Sequence, residues 1–248
     1  MALDVRDVHQ ALEKWAGFPV EREPRPIVLT QMSVAELERL KRDTAWRSLF
    51  DVPGVPEAEL PPELRAAALH YYRGEAQPLP AIIRAPGPFA TDRGLRELPA
   101  WMMHPRDRRW PFIGLDPEFR RQMTWRPENL ADWSPTEESS LAADGRTLTY
   151  RFTGTPAEYA AYPHAEVYET ETAVLIDPVE VDLDGPDHVR LTYSEQREVV
   201  VHLSVPLGNR VLICAPRSSV DSEYGGAPRT VITAVQDVQP QGYRPSGL

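Results

Sequence analysis

The stretch from Arg197 to Cys214 alternates apolar and polar residues and then passes through a set of turn residues. Four apolar side chains fall on one face of an extended chain and polar side chains on the other, a pattern typical of a half-buried strand. These four are Val199, Val201, Leu203 and Val205. The sequence P-L-G-N at 206–209 favours a turn, because proline fixes φ and glycine tolerates the conformations that close a turn. Because Val211–Ile213 is apolar again, we predict a returning strand, and hence a β-hairpin.

Short segments of similar character recur from residue 79 onward. They are enriched in β-branched and aromatic residues and are separated by proline, glycine and charged turns. Such spacing predicts a mainly antiparallel β-sandwich or a partly open barrel. The predicted strands are Leu79–Arg84, Leu98–Met103, Trp110–Leu115, Thr147–Thr153, Ala165–Ile176, Val189–Tyr193, Glu198–Val205, Val211–Cys214 and Thr230–Val235.

Three segments nearer the start of the chain have helical patterns. Apolar residues recur every three or four positions over Asp4–Trp15, a capping box opens Ser33–Phe50, and Pro61-Pro62 precedes Glu63–Tyr72. A short strand is predicted at Ile27–Leu29. The predicted fold class is therefore α+β, with N-terminal helices packed on the β region. We expect a mainly helical region at 1–78, a β-rich domain at 79–236 and a flexible tail at 237–248.

Composition and charge limit the functions that the chain can have. The net charge of −10 argues against general binding of nucleic acid, which requires a basic face. No run approaches the roughly 18 apolar residues of a membrane span. The start of the chain has no secretory signal, and the single cysteine, Cys214, excludes an internal disulfide. These features together predict a cytoplasmic protein.

Several short motifs resemble those of a known group of proteins. They are F-A-T-D-R-G at 89–94, E-L-P-A-W at 97–101, D-G-R-T-L-T-Y at 144–150, R-E-V at 197–199 and P-L-G-N-R at 206–210. Over residues 79–215 the chain resembles a loose group of uncharacterised β-rich proteins from high-GC Gram-positive bacteria. The resemblance implies a shared β scaffold and a shared importance for Asp92-Arg93-Gly94, but no established activity. Members of that group are often exported and often carry cysteines in the β region; this chain has no cysteine pair, so a role linked to export does not follow.

The segment around Leu98–Trp110 is the best candidate for binding. Residues 84–126 carry nine basic and five acidic side chains, and only Lys14 and Lys41 are lysines among the 27 basic residues of the chain. Guanidinium groups bind carboxylate and phosphate in a bidentate manner, and tryptophan adds stacking. The candidate ligand-binding residues are Asp92, Arg93, Arg96, Trp101, His104, Arg106, Arg108, Arg109 and Trp110. We therefore expect a non-catalytic protein that binds a small anionic ligand or an acidic protein partner.

Other interpretations of the same residues stay open. The arginines could instead pair with the acidic stretch 127–190, which holds fourteen acidic and three basic side chains. An enzyme or small-molecule-binding protein could have its site in the mouth of the β domain, where Arg93, His104 or His202 would act with a carboxylate. An acidic inhibitor or immunity-like protein could use the 127–190 stretch to bind a basic target. The sequence does not decide between these classes, nor does it fix the oligomeric state.

Metal, cofactor and catalytic motifs are not evident in the sequence. Asp182, Asp184 and Asp187 flank a glycine turn but lack the EF-hand spacing, so we interpret them as a solvated strand edge. The six histidines are scattered without a pair spaced for one metal ion. No phosphate-binding loop, dinucleotide fingerprint or nucleophile elbow is present. Cys214 ends an apolar strand and is predicted to be buried and inert. We therefore predict no metal, no cofactor and no catalytic residue.

Overall fold

The computed structural model describes residues 5–30, 54, 56, 59–71, 81–104, 112–127, 137–183, 194–214 and 231–236. The chain divides into two compact units. The larger unit comprises Met1–Gln31, Thr91–Gly94 and Trp125–Leu248, and the smaller comprises Met32–Ala90 and Leu95–Thr124. The domain boundaries expected from the sequence, after residues 78 and 236, stay a prediction.

The described part of the chain is mostly β-structure with a few helices. The helices are α1 (Val5–Glu13), α2 (Pro62–Tyr71) and α3 (Pro117–Met123). The strands are β1 (Ala81–Thr91), β2 (Gly94–His104), β3 (Phe112–Leu115), β4 (Glu137–Leu141), β5 (Thr147–Gly154), β6 (Ala160–Glu169), β7 (Ala173–Asp182), β8 (Glu195–His202), β9 (Val211–Cys214) and β10 (Val231–Gln236).

Seven strands of the larger unit form one sheet in the order β6-β7-β9-β10-β4-β5-β8. The pairs β7/β9 and β10/β4 are parallel, and the others are antiparallel. The mainly antiparallel, β-rich α+β class is thus confirmed, and the sheet is not closed into a barrel. The sandwich expected from the sequence stays a prediction.

One face of this sheet holds the main apolar core. Strand β5 has its alternate residues buried, as the pattern T-L-T-Y-R-F-T-G requires, and β8 follows the same alternation. Tyr150 and Phe152 stack with ring centroids 5.3 Å apart. The buried members of this core are Leu148, Tyr150, Phe152, Val174, Ile176, Val199, Val201, Leu203, Leu207, Leu212 and Cys214. The expectation that Cys214 is buried is confirmed.

The opposite face of β7 and β9 is also buried. Trp15, Phe18 and Val28 cover it, together with Ala11 of α1. Apolar residues on both faces explain why β9 is a continuous apolar run without alternation. The helix predicted over Asp4–Trp15 is confirmed as α1 and belongs to this second cluster.

The hairpin predicted over Arg197–Cys214 is wrong. Both of its strands exist, but β8 pairs with β5, and β9 pairs with β7 and β10, so that three strands separate β8 from β9. The physical reason is their different burial: β8 is buried on one face and lies at the edge, whereas β9 is buried on both faces and lies inside the sheet. The segment between them is a connection across the sheet and not a hairpin turn.

Other predicted elements differ in detail. The single strand predicted at Ala165–Ile176 is wrong, because Thr170 turns the chain between β6 and β7 by accepting a hydrogen bond from the Ala173 amide. Strand β4 was not predicted. The strand expected at Ile27–Leu29 is reduced to one bridge between Leu29 and Thr91. The predicted helix 33–50 and strand 189–193 lie outside the described residues.

The smaller unit contains a three-stranded sheet in the order β1-β2-β3, with β2 and β3 antiparallel. Helix α2, predicted at Glu63–Tyr72 and confirmed at Pro62–Tyr71, packs on one face through Leu64. A side chain at Gly114 would come within 2.7 Å of Leu64, so glycine is needed for the helix to approach the sheet. Trp101 and Met103 of β2 belong to the same apolar cluster.

None of the helices in the described part of the chain is both long and apolar enough to cross a membrane.

Candidate binding sites

The residues predicted to bind a ligand are distributed over both units. Asp92 and Arg93 lie in the turn Thr91–Gly94 after β1, and this turn belongs to the larger unit. Arg96 and Trp101 lie in β2 of the smaller unit, and His104 is its last residue. Arg106, Arg108, Arg109 and Trp110 lie outside the described residues. The described candidate residues therefore belong to two separate regions.

In the larger unit, Asp92 is buried and ionically paired. Its carboxylate lies 2.5 Å from a terminal nitrogen of Arg25, and it also accepts a hydrogen bond from the Val28 amide at 3.4 Å. Arg25 in turn lies over the Phe18 ring, 4.8 Å from its centroid, and its Nε donates to the Asn209 carbonyl at 2.8 Å. This partner could not be recognised from a local sequence pattern, because Arg25 is 67 residues away from Asp92.

Arg93 points away from the turn and into the connection between β8 and β9. One of its terminal nitrogens donates to the carbonyls of Gly208 and Arg210, each at 2.8 Å. The turn is shaped by the Thr91 hydroxyl, which accepts from the Arg93 amide and donates to the Gly94 carbonyl. Gly94 has a φ of 83°, a conformation that favours glycine. The motif T-D-R-G thus forms a tight turn, and its Arg93 side chain contacts a loop that is distant in sequence.

Arg210 stabilises the first half of the same connection. Its guanidinium group donates to three carbonyls of this connection, those of Val205 at 2.8 Å, Pro206 at 3.0 Å and Leu207 at 3.3 Å, and to the Thr170 carbonyl at 3.4 Å. It also pairs with the Glu169 carboxylate at 2.8 Å. Burial raises the pKa of Glu169, but hydrogen bonds from the Ser204 amide and from Arg210 outweigh burial, so its pKa is lowered. Glu169 is therefore ionised at neutral pH.

The three arginines together satisfy every carbonyl from residue 205 to residue 210, and we call this segment the three-arginine loop. Arg210 serves 205–207, Arg93 serves 208 and 210, and Arg25 serves 209. The structure thereby joins the motifs T-D-R-G and P-L-G-N-R, which are more than 100 residues apart. These donor groups face the protein's own backbone and hold the loop in one conformation.

In the smaller unit, Arg84, Trp101 and Asp116 form a second polar cluster. The Asp116 carboxylate accepts hydrogen bonds from Arg84 and from the Trp101 indole, both at 3.1 Å. The Arg84 guanidinium carbon lies 5.6 Å from the centroid of the Trp101 ring. Asp116 also caps α3 by accepting from the amides of Glu118 and Phe119. Trp101 is buried, whereas the Arg84 side chain is 58% exposed.

The electrostatics of this cluster follow from its hydrogen bonds. Burial raises the pKa of Asp116, but the α3 amides, the Trp101 indole and the Arg84 charge outweigh burial and lower it overall. The carboxylate is therefore ionised at neutral pH and holds Arg84 in a fixed place. An exposed guanidinium group oriented by a carboxylate and an aromatic ring can bind an anion with the donors that it still presents to solvent.

The sheet topology relates this cluster to the remaining predicted residues. Strands β1 and β2 are consecutive neighbours, so the start of β1 and the end of β2 lie at the same end of the sheet. Residues 105–111, which include three arginines and Trp110, follow β2 in sequence and lie outside the described residues. Arg84 is the fourth residue of β1, so it lies near the end of the sheet at which β2 ends.

His202, Thr147 and Asp144 form a hydrogen-bonded row on the exposed face of β5 and β8. The Thr147 hydroxyl donates to Asp144 at 2.7 Å, and it lies 3.2 Å from Nδ1 of His202. Amide hydrogen bonds from Thr147 and Arg146 lower the pKa of Asp144 to about 2. The single hydroxyl proton of Thr147 is donated to Asp144. In the hydrogen bond between Thr147 and His202, the proton must therefore come from Nδ1 of His202. In this row the carboxylate contacts the hydroxyl and not the imidazole, unlike a catalytic triad.

A further polar group lies where β5 ends and β6 begins. The Tyr162 hydroxyl donates to Glu180 at 2.6 Å, and the Thr155 hydroxyl donates to the same carboxylate at 3.2 Å. Arg197 lies over the Tyr162 ring and donates to the Ala160 carbonyl at 3.3 Å. A Cβ at Gly154 would come within 2.8 Å of the Tyr162 hydroxyl. Arg93 and His202, two of the residues suggested for a site in the mouth of the β domain, do not belong to this group.

Sequence reasoning missed four residues that organise these regions: Arg25, Arg84, Asp116 and Arg210. A local pattern was available only for Asp116, because Asp-Pro-Glu is typical of a helix start with the aspartate as N-cap. Arg25 and Arg210 act over long sequence separations, which a single sequence does not reveal. Within the parts of the chain that the structure describes, His, Cys, Asp and Glu side chains form no group of three or more that could hold a metal ion.

The resemblance to β-rich proteins of high-GC Gram-positive bacteria stays a prediction, because no protein-family model, no curated protein and no solved structure matches this chain.

Proposed function

We propose that the protein is a cytoplasmic, non-catalytic binding protein that recognises carboxylate groups of an acidic partner or a small anionic ligand. Recognition would take place at the basic end of the three-stranded sheet in the smaller unit. Arg84 and Trp101 form its described part, and the connection 105–111 would add Arg106, Arg108, Arg109 and Trp110.

The observation that supports this proposal is the state of Arg84. Its guanidinium group is oriented by the Trp101 ring and by the buried Asp116 carboxylate, yet the side chain remains 58% exposed. A guanidinium group held in place before binding loses little conformational entropy when an anion arrives. The charge of residues 84–126, nine basic against five acidic, would attract an acidic partner.

The residues proposed to contact the ligand are not all of those expected from the sequence. Asp92 and Arg93 are engaged within the larger unit, so we do not count them among the ligand contacts. Trp101 takes part by positioning Arg84, since its own indole N–H is bound to Asp116. Arg96 and His104, both in β2, stay predicted contacts.

The test is a binding titration with a fluorescein-labelled ten-residue polyglutamate peptide, followed by competition with citrate. We expect Arg84→Ala to weaken peptide binding by about 10- to 100-fold, since a hydrogen bond to a charged group contributes about 1.5–3 kcal/mol. Raising the salt from about 20 to 200 mM should weaken wild-type binding as well, because ionic contacts are screened. Displacement by citrate would indicate a site that also takes small anions.

The matched control is Arg151→Ala. Arg151 is 52% exposed and paired with a carboxylate, Glu198, but it lies on β5 of the larger unit. The Arg151→Ala variant should bind the peptide as tightly as the wild type does. Equal losses in both variants, or peptide binding that does not depend on salt, would contradict recognition at Arg84.

A further inference from the structure

Three turns of the larger unit meet beside the three-arginine loop, and we call them together the three-turn surface. They are Ala142–Arg146, Thr170–Thr172 and Ser204–Asn209. Backbone hydrogen bonds join them: Leu203 donates to Arg146 at 2.9 Å, Leu207 to Gly145 at 2.8 Å and Val211 to Thr172 at 2.9 Å. The Ser204 amide also donates to Glu169 at 2.6 Å. Segments that are distant in sequence therefore form one continuous surface.

This surface is more rigid than the connection between two strands requires. Each carbonyl of the three-arginine loop accepts a hydrogen bond from a guanidinium group, and two of these arginines, Arg93 and Arg210, are buried. Placing charged groups inside a protein is unfavourable unless they are paired, and it often adds little net stability. It does fix the loop in one conformation. Binding to a loop that is already ordered avoids the entropic cost of ordering it.

The centre of the surface is apolar and exposed. Val205 is 50% exposed, its neighbour Pro206 is exposed, and Ala142 and Ala143 of the first turn are exposed as well. Gly145 has a φ of 68°, a conformation that favours glycine, and a Cβ at that position would be in ordinary van der Waals contact with Pro206 at 3.4 Å. Large apolar side chains held on rigid, exposed loops are typical of sites that contact other proteins.

The rim of the surface is mostly acidic. Asp144 has a pKa of about 2 and is always ionised at neutral pH, and Glu171 is exposed on the neighbouring turn. Arg146 is the exposed basic residue of the first turn. The stretch 127–190, to which the first two turns belong in sequence, carries fourteen acidic and three basic side chains, and this charge favours a positively charged partner.

We propose that the three-turn surface docks a protein partner that presents an apolar side chain flanked by lysine or arginine. Val205 and Pro206 provide the apolar contact, and Asp144 and Glu171 select the charge. Arg25, Arg93 and Arg210 are positioning residues that preform the loop. This surface does not depend on the proposed function of the smaller unit, and it takes a partner of opposite charge.

The test uses a random twelve-residue peptide library displayed on phage, which is selected on the immobilised wild-type protein. We expect one class of selected peptides to combine apolar residues with lysine or arginine. Synthetic copies of these should bind Val205→Asp at least tenfold more weakly than the wild type, as is usual when a central interface residue is changed. They should bind Val200→Asp as they bind the wild type, since Val200 is equally exposed, at 53%, but lies on the outer face of β8.

Both valines are about half exposed, so neither variant should unfold, and thermal unfolding of each should match that of the wild type. Selected basic peptides that bind Val205→Asp and the wild type equally would overturn the proposal. A selection that yields only acidic peptides, or none, would overturn it too. Acidic peptides sensitive to Arg84→Ala would in that case still support the proposed function.

Discussion

The arginines of the two units differ in burial and in the acceptors that their guanidinium groups bind. In the larger unit, the side chains of Arg25, Arg93 and Arg210 are 12%, 5% and 7% exposed, and they donate to carbonyls of one loop. In the smaller unit, Arg84 is 58% exposed and donates to a single carboxylate. The first three stabilise the protein's own backbone, whereas the fourth presents donors to solvent.

This difference shows how far composition can mislead. A chain rich in arginine, with a basic segment at 84–126, suggests a binding surface. Whether a guanidinium group can bind a partner depends on its burial and on the acceptors that already surround it. Arg93 and Arg84 are nine residues apart in sequence, yet one supports a loop and the other is a candidate ligand contact.

The largest effect should come from replacing a buried arginine with an apolar residue of similar length. Arg210→Met removes the guanidinium donor from one oxygen of the Glu169 carboxylate and from the carbonyls of Val205 and Pro206. The other Glu169 oxygen keeps the Ser204 amide, and the Leu207 carbonyl keeps the backbone amide of residue 210. Breaking a buried ion pair by removing one partner typically destabilises a protein by about 3–5 kcal/mol. We expect a decrease of this size in the free energy of unfolding, measured by urea denaturation and circular dichroism.

The conservative variant Arg210→Lys sharpens the same experiment. Lysine keeps the charge but lacks the planar fork that reaches several acceptors at once. It should recover only part of the lost stability, because the pair with Glu169 can re-form but the carbonyl contacts cannot. A loss below about 1 kcal/mol in Arg210→Met would show that the buried arginines are no more important than exposed ones.

Much of the β architecture follows from the sequence, because it depends on local patterns. Alternation predicts β5 and β8, and proline before Glu63 predicts α2. Strand neighbours do not follow, since pairing is decided by contacts far apart along the chain. β8 and β9 look like a hairpin because a turn sequence separates them, yet their burial patterns place one at the edge of the sheet and the other inside it.

The candidate sites were predictable in residue type but not in role. The sequence drew attention to the motif T-D-R-G, and the structure shows that it forms a turn with a glycine at positive φ. Nothing near Asp92 in sequence indicates that its partner is Arg25, or that Arg93 reaches Gly208. Such roles depend on long-range contacts, and these contacts cannot be predicted from a single sequence.

If the pairing of Glu169 with Arg210 is electrostatic, its contribution to stability should depend on pH. The pKa of Glu169 is lowered because hydrogen bonds from the Ser204 amide and from Arg210 outweigh burial. A carboxyl group with a lowered pKa stabilises the fold above its ordinary pKa of 4.5, and this stability is lost as pH falls through the lowered value. Glu169→Gln should therefore destabilise the protein by about 2 kcal/mol at pH 7, a typical contribution of hydrogen bonds to a charged group.

The difference between wild type and Glu169→Gln should then shrink below pH 4.5, and unfolding by urea at several pH values would measure it. The pKa of Asp116 is lowered too, because the α3 amides, the Trp101 indole and Arg84 outweigh burial. The stability that Asp116 contributes should therefore also be lost as the pH falls. A difference that stays constant down to pH 3 would mean that Glu169 acts through packing and not through its charge.

The smallest effect should come from Arg151→Ala, which removes an exposed ion pair. Arg151 and Glu198 are 52% and 51% exposed and lie 3.0 Å apart on neighbouring strands. Exposed pairs of this kind contribute about 0.2–1 kcal/mol, because water screens the attraction and ordering two long side chains is unfavourable. We expect a loss below about 0.5 kcal/mol by urea denaturation at about 0.15 M salt. A loss as large as that of Arg210→Met would mean that burial does not separate structural arginines from available ones in this fold, and Arg84 could then no longer be distinguished from Arg93 on that ground.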